Sequence, residues 1–432
     1  MNVQRPSAVF LHRFYWPDVA AAGQMLTDLA EDLAARGWQV TVVVSRTRYE
    51  AGLEVQLPAE EVHNGVRIVR VKTTRFGRGR LVARLGDHAS YLGGALLRLL
   101  RLPRPDLVVA MSEPPLLLGV ALLGARLRGA ATVYWVQDVY PHLAGKLGVL
   151  RERGLPYRAL AWLTRRMHAA CDAVITLGPR MAEVLVGSGA RPERVSFVHN
   201  WADAAAVRPL PPAENPFVRE NGLEGKFVVL YSGNAGRAHT FDAVVEAMRR
   251  LRDHPDVRFL FIGGGNRLGE IRAAAERESL PNVRFMDYVP RSELAGSLSA
   301  ASVSLVTEMP EVVGLLVPSK TYGIMASGRP LLFIGSERSD VARIVRETGC
   351  GEVVPPDDAD ALVGAILRLR DAPAEAAAMG ARGRRAVEDE FDRRRGTRHW
   401  AEIVERMLAE RQDHQGAVPS AGEVGSFSRA RS

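Results

Sequence analysis

The chain has 432 residues, enough for two domains, and its 47% hydrophobic and 25% charged content is that of a soluble globular protein. Its two cysteines, Cys171 and Cys350, make no disulfide framework, no CxxC pair and no evident metal site. The net charge of +8 is uneven: residues 1–200 hold 26 Lys+Arg against 16 Asp+Glu, and residues 201–432 hold 31 against 33, so the first half favours an anionic partner.

The first residues lack the apolar stretch of a signal peptide. Residues 8–11 form an apolar strand, followed by a loop through Pro17 and Gly23. A helix with an apolar stripe at Met25, Leu26, Leu29 and Leu33 comes next, then a buried strand over 40–44. Strand, helix, strand is the βαβ unit of a parallel sheet. Residues 66–71 read as a further strand. Residues 75–104 carry seven arginines and one aspartate among leucines. That pattern suits a solvated helix with a core face or contact with an anionic membrane surface. The apolar run 107–125 is broken by Glu113-Pro114-Pro115 and reads as strand, turn and helix, not as a membrane span. Strands are expected at 132–136, 172–176 and 195–198, with helices at 157–169 and 179–188. Asp138 and His142 fall just past the carboxyl end of the 132–136 strand, where α/β proteins place ligands.

A proline-rich connector over 209–216 separates the halves, and the βα rhythm then restarts. Strands are expected at 226–231, 257–262, 283–285, 302–306, 331–334 and 351–354. The stretch 311–330 runs from an apolar loop into a short helix, with Ser319 of N-cap type and Lys320 in the first turn. Helix amides and a lysine together favour phosphate. Residues 376–411 read as helical, and the polar tail 412–432 as disordered. The fold class is α/β, with two doubly wound Rossmann-like domains facing a cleft: 1–205, and 206–391. Loops 232–239, 286–291 and 314–320 should meet at that cleft. Arg237 and Lys320 would neutralise a diphosphate.

Seven motifs, in order, carry a resemblance: Phe14-Tyr-Trp-Pro-Asp18 with Gly23, Trp135-Val-Gln-Asp138, His199-Asn-Trp201, Tyr231-Ser-Gly-Asn-Ala-Gly-Arg237, Phe261-Ile-Gly-Gly-Gly265, Asn282-Val-Arg-Phe285, and Pro318-Ser-Lys320 with Met325-Ala-Ser-Gly-Arg-Pro330. The sequence resembles the retaining family 4 glycosyltransferases of GT-B fold, nearest to bacterial cell-surface polysaccharide transferases of the fucosamine type. The resemblance implies metal-independent transfer from a nucleotide sugar, with no cofactor and no metal. It implies Asp138, on the acceptor side, with Arg237 and Lys320 as the catalytic set, and a returning helix over 392–411 that completes the first domain. Substrate would be bound by Gly23, Asn200, Gly233, Asn234, Tyr288, Val289, Leu316 and Ser319, with the base in the 286–291 loop. Many members carry two glutamates eight positions apart, and here Leu315 and Gly323 stand at those places; Glu308 and Glu311 are the nearby acids. The loop 232–239 has Asn234 and His239 where a basic pair is usual.

The expected activity is transfer from a nucleotide sugar, UDP-linked, to a saccharide acceptor carried on a polyprenyl diphosphate. The site would be cytoplasmic, at the inner face of a membrane. A nucleotide-sugar 2-epimerase of the same fold and a non-catalytic nucleotide-binding relative stay open. The basic half could suit nucleic acid, but no motif supports that partner.

Overall fold

The computed structural model describes residues 5–18, 20–46, 57–74, 76 and 81–416. The first half contains β1 (Ser7–Leu11), β2 (Gln39–Ser45), β3 (Glu60–His63), β4 (Val66–Val71), β5 (Leu107–Met111), β6 (Ala131–Trp135), β7 (Ala173–Thr176) and β8 (Val195–Phe197). They form one sheet in the order β3-β4-β2-β1-β5-β6-β7-β8, parallel except for β3. The antiparallel hairpin β3–β4 turns at Asn64-Gly65, both with φ > 0. Its strand β3 alternates exposed with half-buried positions, so it lacks the continuous apolar run that marks the inner strands. The second half contains β9 (Phe227–Ser232), β10 (Val257–Ile262), β11 (Val283–Met286), β12 (Val303–Thr307), β13 (Leu331–Ile334) and β14 (Gly351–Val354). They make an all-parallel sheet in the order β11-β10-β9-β12-β13-β14. Both sheets reverse direction of winding beside their first strand, between β1 and β5 and between β9 and β12, and ligand crevices open at such points.

The helices are α1 (Ala21–Ala35), α2 (Leu81–Arg101), α3 (Leu117–Arg128), α4 (His142–Lys146), α5 (Leu155–Ala170), α6 (Pro179–Gly187), α7 (Pro216–Glu220), α8 (Asp242–Arg250), α9 (Asn266–Arg277), α10 (Leu294–Ser299), α11 (Lys320–Ala326), α12 (Asp340–Thr348), α13 (Ala359–Asp371), α14 (Pro373–Ala386) and α15 (Arg393–Gly416). One face of the first sheet is covered by α1 and α15, with Trp400 buried against Phe10 and Trp135. The other face is covered by α2, α3 and α5, through Leu99, Leu117, Leu118 and Met167. The continuous helix read over 376–411 is broken: α14 ends in a π-turn at Val387–Phe391, and Asp392 leaves helical geometry. Phe391 and Asp392 bond the Trp201–Ala204 segment here, which is how the chain crosses back. The last helix also runs past 411, held where Arg411 pairs with Asp172 at 3.0 Å. From residue 417 onward, the tail expectation lies outside the described residues, as do residues 75 and 77–80 of the basic stretch.

Among the described residues, the ties between the halves include the following. Asp28, buried on α1, takes Arg393 of α15 at 2.9 Å and Arg291 of the second half at 3.3 Å. The backbone N–H of Val139 donates to Leu315 at 2.8 Å. The Asp340 carboxylate, on α12, accepts from the backbone N–H of Arg180 at the start of α6.

Candidate active site

At the winding reversal of the second sheet, β9 delivers Tyr231 and then the loop Ser232–Arg237. Tyr231 is buried, and its hydroxyl donates to the Asn234 carbonyl at 3.0 Å. Lys320, the first residue of α11, sends its Nζ over the Tyr231 ring, 3.8 Å from the centre, and donates to the same hydroxyl at 2.5 Å. Burial without a carboxylate partner pulls its pKa down from 10.5 to about 7. The ammonium is therefore poorly compensated by the protein, and an incoming anion would be its counter-charge. His239 stands beside it, with Nδ1 at 2.5 Å from the Thr307 carbonyl. Burial and the neighbouring Lys320 lower this imidazole to about 3, so it is neutral at physiological pH.

Two glycine loops complete the floor. Gly233 N–H is bonded to Ile262, Ala235 N–H to Gly264, and Gly263 N–H to Met286. Gly263 has φ +127°, and a Cβ there would stand 2.4 Å from the Gly233 carbonyl oxygen, so the loops touch only because it is glycine. Gly233 lies open above: a Cβ on it would meet the end of Lys320 at 3.4 Å. Tyr288 lies against Gly263 and Gly264 and is 40% exposed, an aromatic ring at the rim on which a base could stack. Val289 beside it is half-buried against the core. Thus Gly233, Asn234, Tyr288 and Lys320 are brought to one place. Arg237 and the Asn234 side chain are exposed on the same loop. Ser319 takes the position before α11, yet its side chain makes no capping bond, and the helix is only seven residues long. The anion-binding character of 311–330 thus rests on the lysine more than on the helix end. Leu316 is half-buried in the tight turn Val313–Leu316.

The facing side comes from the first half. Asp138 follows β6, and its backbone N–H and that of Gln137 donate to Ser112 Oγ at 3.1 and 2.8 Å. Its carboxyl is raised to about 7 by burial and then by the charge of Glu113. The next residue, Val139, is bonded to Leu315, so Asp138 sits against the 311–317 loop. His142 has both ring nitrogens engaged, by Tyr157 at 2.8 Å and Ser188 at 3.0 Å, and reads as a structural residue. His12, at the end of β1, is fully buried and has neither ring nitrogen in a hydrogen bond. Burial lowers it to about 4. Tyr231 lies in the motif Tyr231–Arg237 but carried no expected role, and Glu113 and His12, which follow β5 and β1, stand outside every site motif.

Two expected residues sit differently. Gly23 is not in the crossover loop: α1 starts at Ala21, and Gly23 is buried in its first turn. A Cβ there would stand 3.2 Å from the Phe14 carbonyl oxygen, so the glycine permits the Phe14 loop to cross the helix. Asn200 is 1% exposed with an unpartnered Oδ1, and it lines a cavity with Phe391, Arg395 and His399 at the chain crossover, whose walls include none of the Lys320 group. Of the two positions lacking glutamate, Leu315 is buried in the core and Gly323 faces Leu298. Glu308 is fully buried beside Ser339 and Asp340 and raised to about 7 by burial, whereas Glu311 is exposed. Among the described residues no group of three or more His, Cys, Asp or Glu could hold a metal ion, and no helix is long and apolar enough to cross a membrane.

Residues 20–201 match the family described as Glycosyl transferase 4-like domain, and residues 214–386 match Glycosyl transferases group 1. WbjE of Pseudomonas aeruginosa, described as a "Probable glycosyltransferase", is 30% identical over 266 residues, 62% of this chain and 66% of that protein. WcaI of Escherichia coli (strain K12), a glycosyl transferase assigned to colanic acid biosynthesis, is 26% identical over 82% of this chain and 89% of its own. The fold is shared with HepE of Anabaena, solved in complex with UDP and glucose, at a TM-score of 0.70 and 16% identity over 93% of this chain and 100% of that one. Two doubly wound domains, both matched in order by transferase families, identify the chain as a family 4 glycosyltransferase of GT-B fold, related to enzymes of surface-polysaccharide biosynthesis.

Proposed function

We propose that this protein moves a hexosyl or N-acetylhexosaminyl group from a UDP sugar to a lipid-linked saccharide, with retention and without a metal ion. The observation that carries the reading is Lys320: a lysine desolvated to a pKa of about 7 beside the open Gly233 loop is a site built for an anion. The donor diphosphate would lie across Gly233 and Asn234, with Lys320 and Arg237 as its counter-charges and the base against Tyr288. As the glycosidic bond breaks, negative charge grows on the departing diphosphate, and the two cations stabilise it most at that point. Asp138 faces the anomeric carbon from the other domain, where an acidic side chain can hold the sugar or the acceptor hydroxyl. With no enzymic nucleophile in view, the acceptor oxygen attacks from the face the diphosphate leaves. The UDP bound to HepE supports the choice of base. Glu311 and Asp138 border the acceptor side, and anionic acceptors would be drawn by the basic first half.

Calorimetric titration with UDP, GDP and ADP, on the wild type and Lys320→Ala, tests this. UDP binding that the substitution weakens at least tenfold is expected. No nucleotide binding by the folded wild type would sink the donor site. The apolar occupants of the two glutamate positions favour a second reading, a nucleotide-binding relative that consumes no donor, and that reading gains if UDP binds but no UDP sugar is ever turned over. Interconversion of a UDP-N-acetylhexosamine without any acceptor would instead point to the 2-epimerase.

A further inference from the structure

Helices α2, α3 and α5 lie side by side on one face of the first sheet. The contacts are close: a Cβ on Gly124 of α3 would clash with Leu99 of α2, and one on Gly119 would press Met167 of α5. Their inner faces are filled by core residues, yet their outer faces are apolar too. On α3, Leu123 and Leu127 are 47% and 61% exposed, and on α5, Leu155 and Trp162 are 78% and 59% exposed. Leu97 of α2 continues the patch at 49%. Leu155, Arg158, Trp162 and Arg165 follow a three-to-four-residue spacing and so share the outer face of α5.

The same two helices hold Arg126, Arg128, Arg158, Arg165 and Arg166 and no acidic residue. Among the described residues none of these five has a carboxylate within ion-pair distance, and Arg166 instead lies over the Trp162 ring, 5.1 Å from its centre. The outer helices of the second half are built differently. There Arg249, Arg250, Arg343 and Arg384 are each paired with a glutamate on the surface. On α2, Arg98 is shared with Glu60, whereas α3 and α5 combine arginines that lack an ion pair with exposed apolar side chains on adjoining helices.

We propose that the outer face of α3 and α5, continued by Leu97 of α2, docks on an anionic lipid leaflet. Leucines and an indole enter the interfacial zone, and arginines extend their long stems to reach the headgroups. A polyanion such as nucleic acid would meet the arginines but leave the leucines in water. A second copy of this chain would set arginine against arginine across a two-fold axis. The face is joined to the cleft by a short path, because Asp138 runs through α4 directly into α5. Docking would thus hold the Asp138 side of the cleft near the membrane, where a lipid-linked acceptor is presented. The inference rests on the proposed acceptor only for its purpose; the binding itself is independent of the donor site.

The test is co-sedimentation of the full chain with phosphatidylglycerol–phosphatidylcholine vesicles and with phosphatidylcholine vesicles, at about 0.15 M salt. The variant Arg126→Glu/Arg158→Glu/Arg165→Glu is compared with Arg219→Glu/Arg252→Glu/Arg338→Glu, an equal change of charge on exposed arginines of the second half. Each arginine near a leaflet contributes about fivefold, so the first variant should bind anionic vesicles at least about 100-fold more weakly and the second nearly as the wild type. UDP binding, followed in both, reports that each is folded and separates failure of the docking face from failure of the donor site. Trp162 emission should shift to the blue on anionic vesicles, a change that Trp162→Phe removes. Equal losses in the two variants, wild-type binding by the first, or equal binding to neutral vesicles would overturn the proposal. So would self-association that the first variant abolishes in a protein that ignores vesicles.

Discussion

The pH dependence of nucleotide binding isolates Lys320. In the empty site its pKa is about 7, from burial alone. A bound diphosphate supplies the missing counter-charge and returns the lysine toward its ordinary value of about 10.4, so binding above pH 7 must be accompanied by proton uptake. The charged fraction of the free site falls from about half at pH 7 to about one in a hundred at pH 9, and UDP affinity should fall about 50-fold over that interval. The terminal phosphate, with a pKa of about 6, contributes little there. Asp138 also titrates near 7 and gains negative charge over the same range. The Asp138→Asn variant, titrated in parallel, therefore removes that contribution and leaves the slope due to Lys320. In Lys320→Ala the residual slope should vanish, because His239 is neutral throughout, and binding at pH 7 should be about 10- to 150-fold weaker, the loss of a charge-assisted contact. Calorimetry in buffers of different ionisation enthalpy counts the protons directly. An affinity flat between pH 7 and 9 in Asp138→Asn, or a slope that survives in the double variant Lys320→Ala/Asp138→Asn, would refute the argument.

The same shift has a consequence of opposite sign for folding. Between pH 7 and 10.5 the unfolded chain keeps a proton on this lysine that the empty folded protein has released, so its contribution to stability rises with pH. Lys320→Met should accordingly bind UDP poorly, melt at a higher temperature at pH 7 than the wild type, and lose part of the wild type's gain on going to pH 9; a lower melting temperature at pH 7 would contradict a desolvated lysine.

Other expectations come from the same structure. Asp138→Asn should leave UDP affinity at pH 6 within about twofold and lower transfer by about 100-fold or more, as loss of a group acting in the transition state does; equal losses in both would place Asp138 in donor binding. Gly263→Ala puts a methyl 2.4 Å from the Gly233 carbonyl oxygen at a φ of +127° and should abolish measurable UDP binding while leaving the far-ultraviolet circular dichroism unchanged. Arg393→Ala strands Asp28, whose carboxylate is buried between the crossover and α15, and should cost about 3 kcal/mol or more in urea unfolding; under 1 kcal/mol would show that Arg291 suffices. Asp340→Asn weakens the carboxylate cap on α6, costs about 1 kcal/mol, and should speed amide exchange in 179–187 more than elsewhere.

Much of this was legible because α/β proteins write their strands plainly. Runs such as Val42-Val-Val44 and Leu331-Leu-Phe-Ile334 are buried on both sides and stay apolar throughout. Strand β3 escaped because an edge strand with one wet face, Glu60-Glu-Val-His63, offers no such run. The break at Val387–Phe391 escaped because its residues suit a helix; what breaks it is a tertiary bond, Ala202 N–H to the Phe391 carbonyl, between residues 189 apart. Site residues followed the same division. The βα pattern sets the Gly233 loop after β9 and Lys320 at the start of α11, and the fold brings the two together. Gly23 and Asn200 carried motif positions, but their surroundings belong to Phe14 and to the crossover, and only packing reveals that.

The two missing glutamates are where sequence and structure constrain each other most. An acid at 315 would lie in the apolar interior with Val139 bonded to its carbonyl, and one at 323 would face Leu298. Leu315 packs among apolar residues, so a charged group restored there alone would be destabilising. The loss is therefore accommodated by its surroundings and is not a local gap waiting to be refilled. Gly314 shows the same accommodation: at a φ of +77° it lets the loop lie against Arg180 and Val184 of α6, and a Cβ there would stand 3.0 Å from each. With Val139 bonded to Leu315 and Gly314 lying against Arg180 and Val184 of α6, the 311–317 loop is clamped by the first domain on two sides. The loop that carries the apolar replacements is thus also part of the joint between domains. If the glutamates' usual work on the donor is done here at all, it falls to groups already at the cleft, and of those Asp138 alone combines an acidic side chain, a pKa near 7 and a place against that loop. Restoring Leu315→Glu should therefore lower stability by more than about 2 kcal/mol without raising transfer; a variant that gains activity at no cost in stability would show that the cleft had room for the acid.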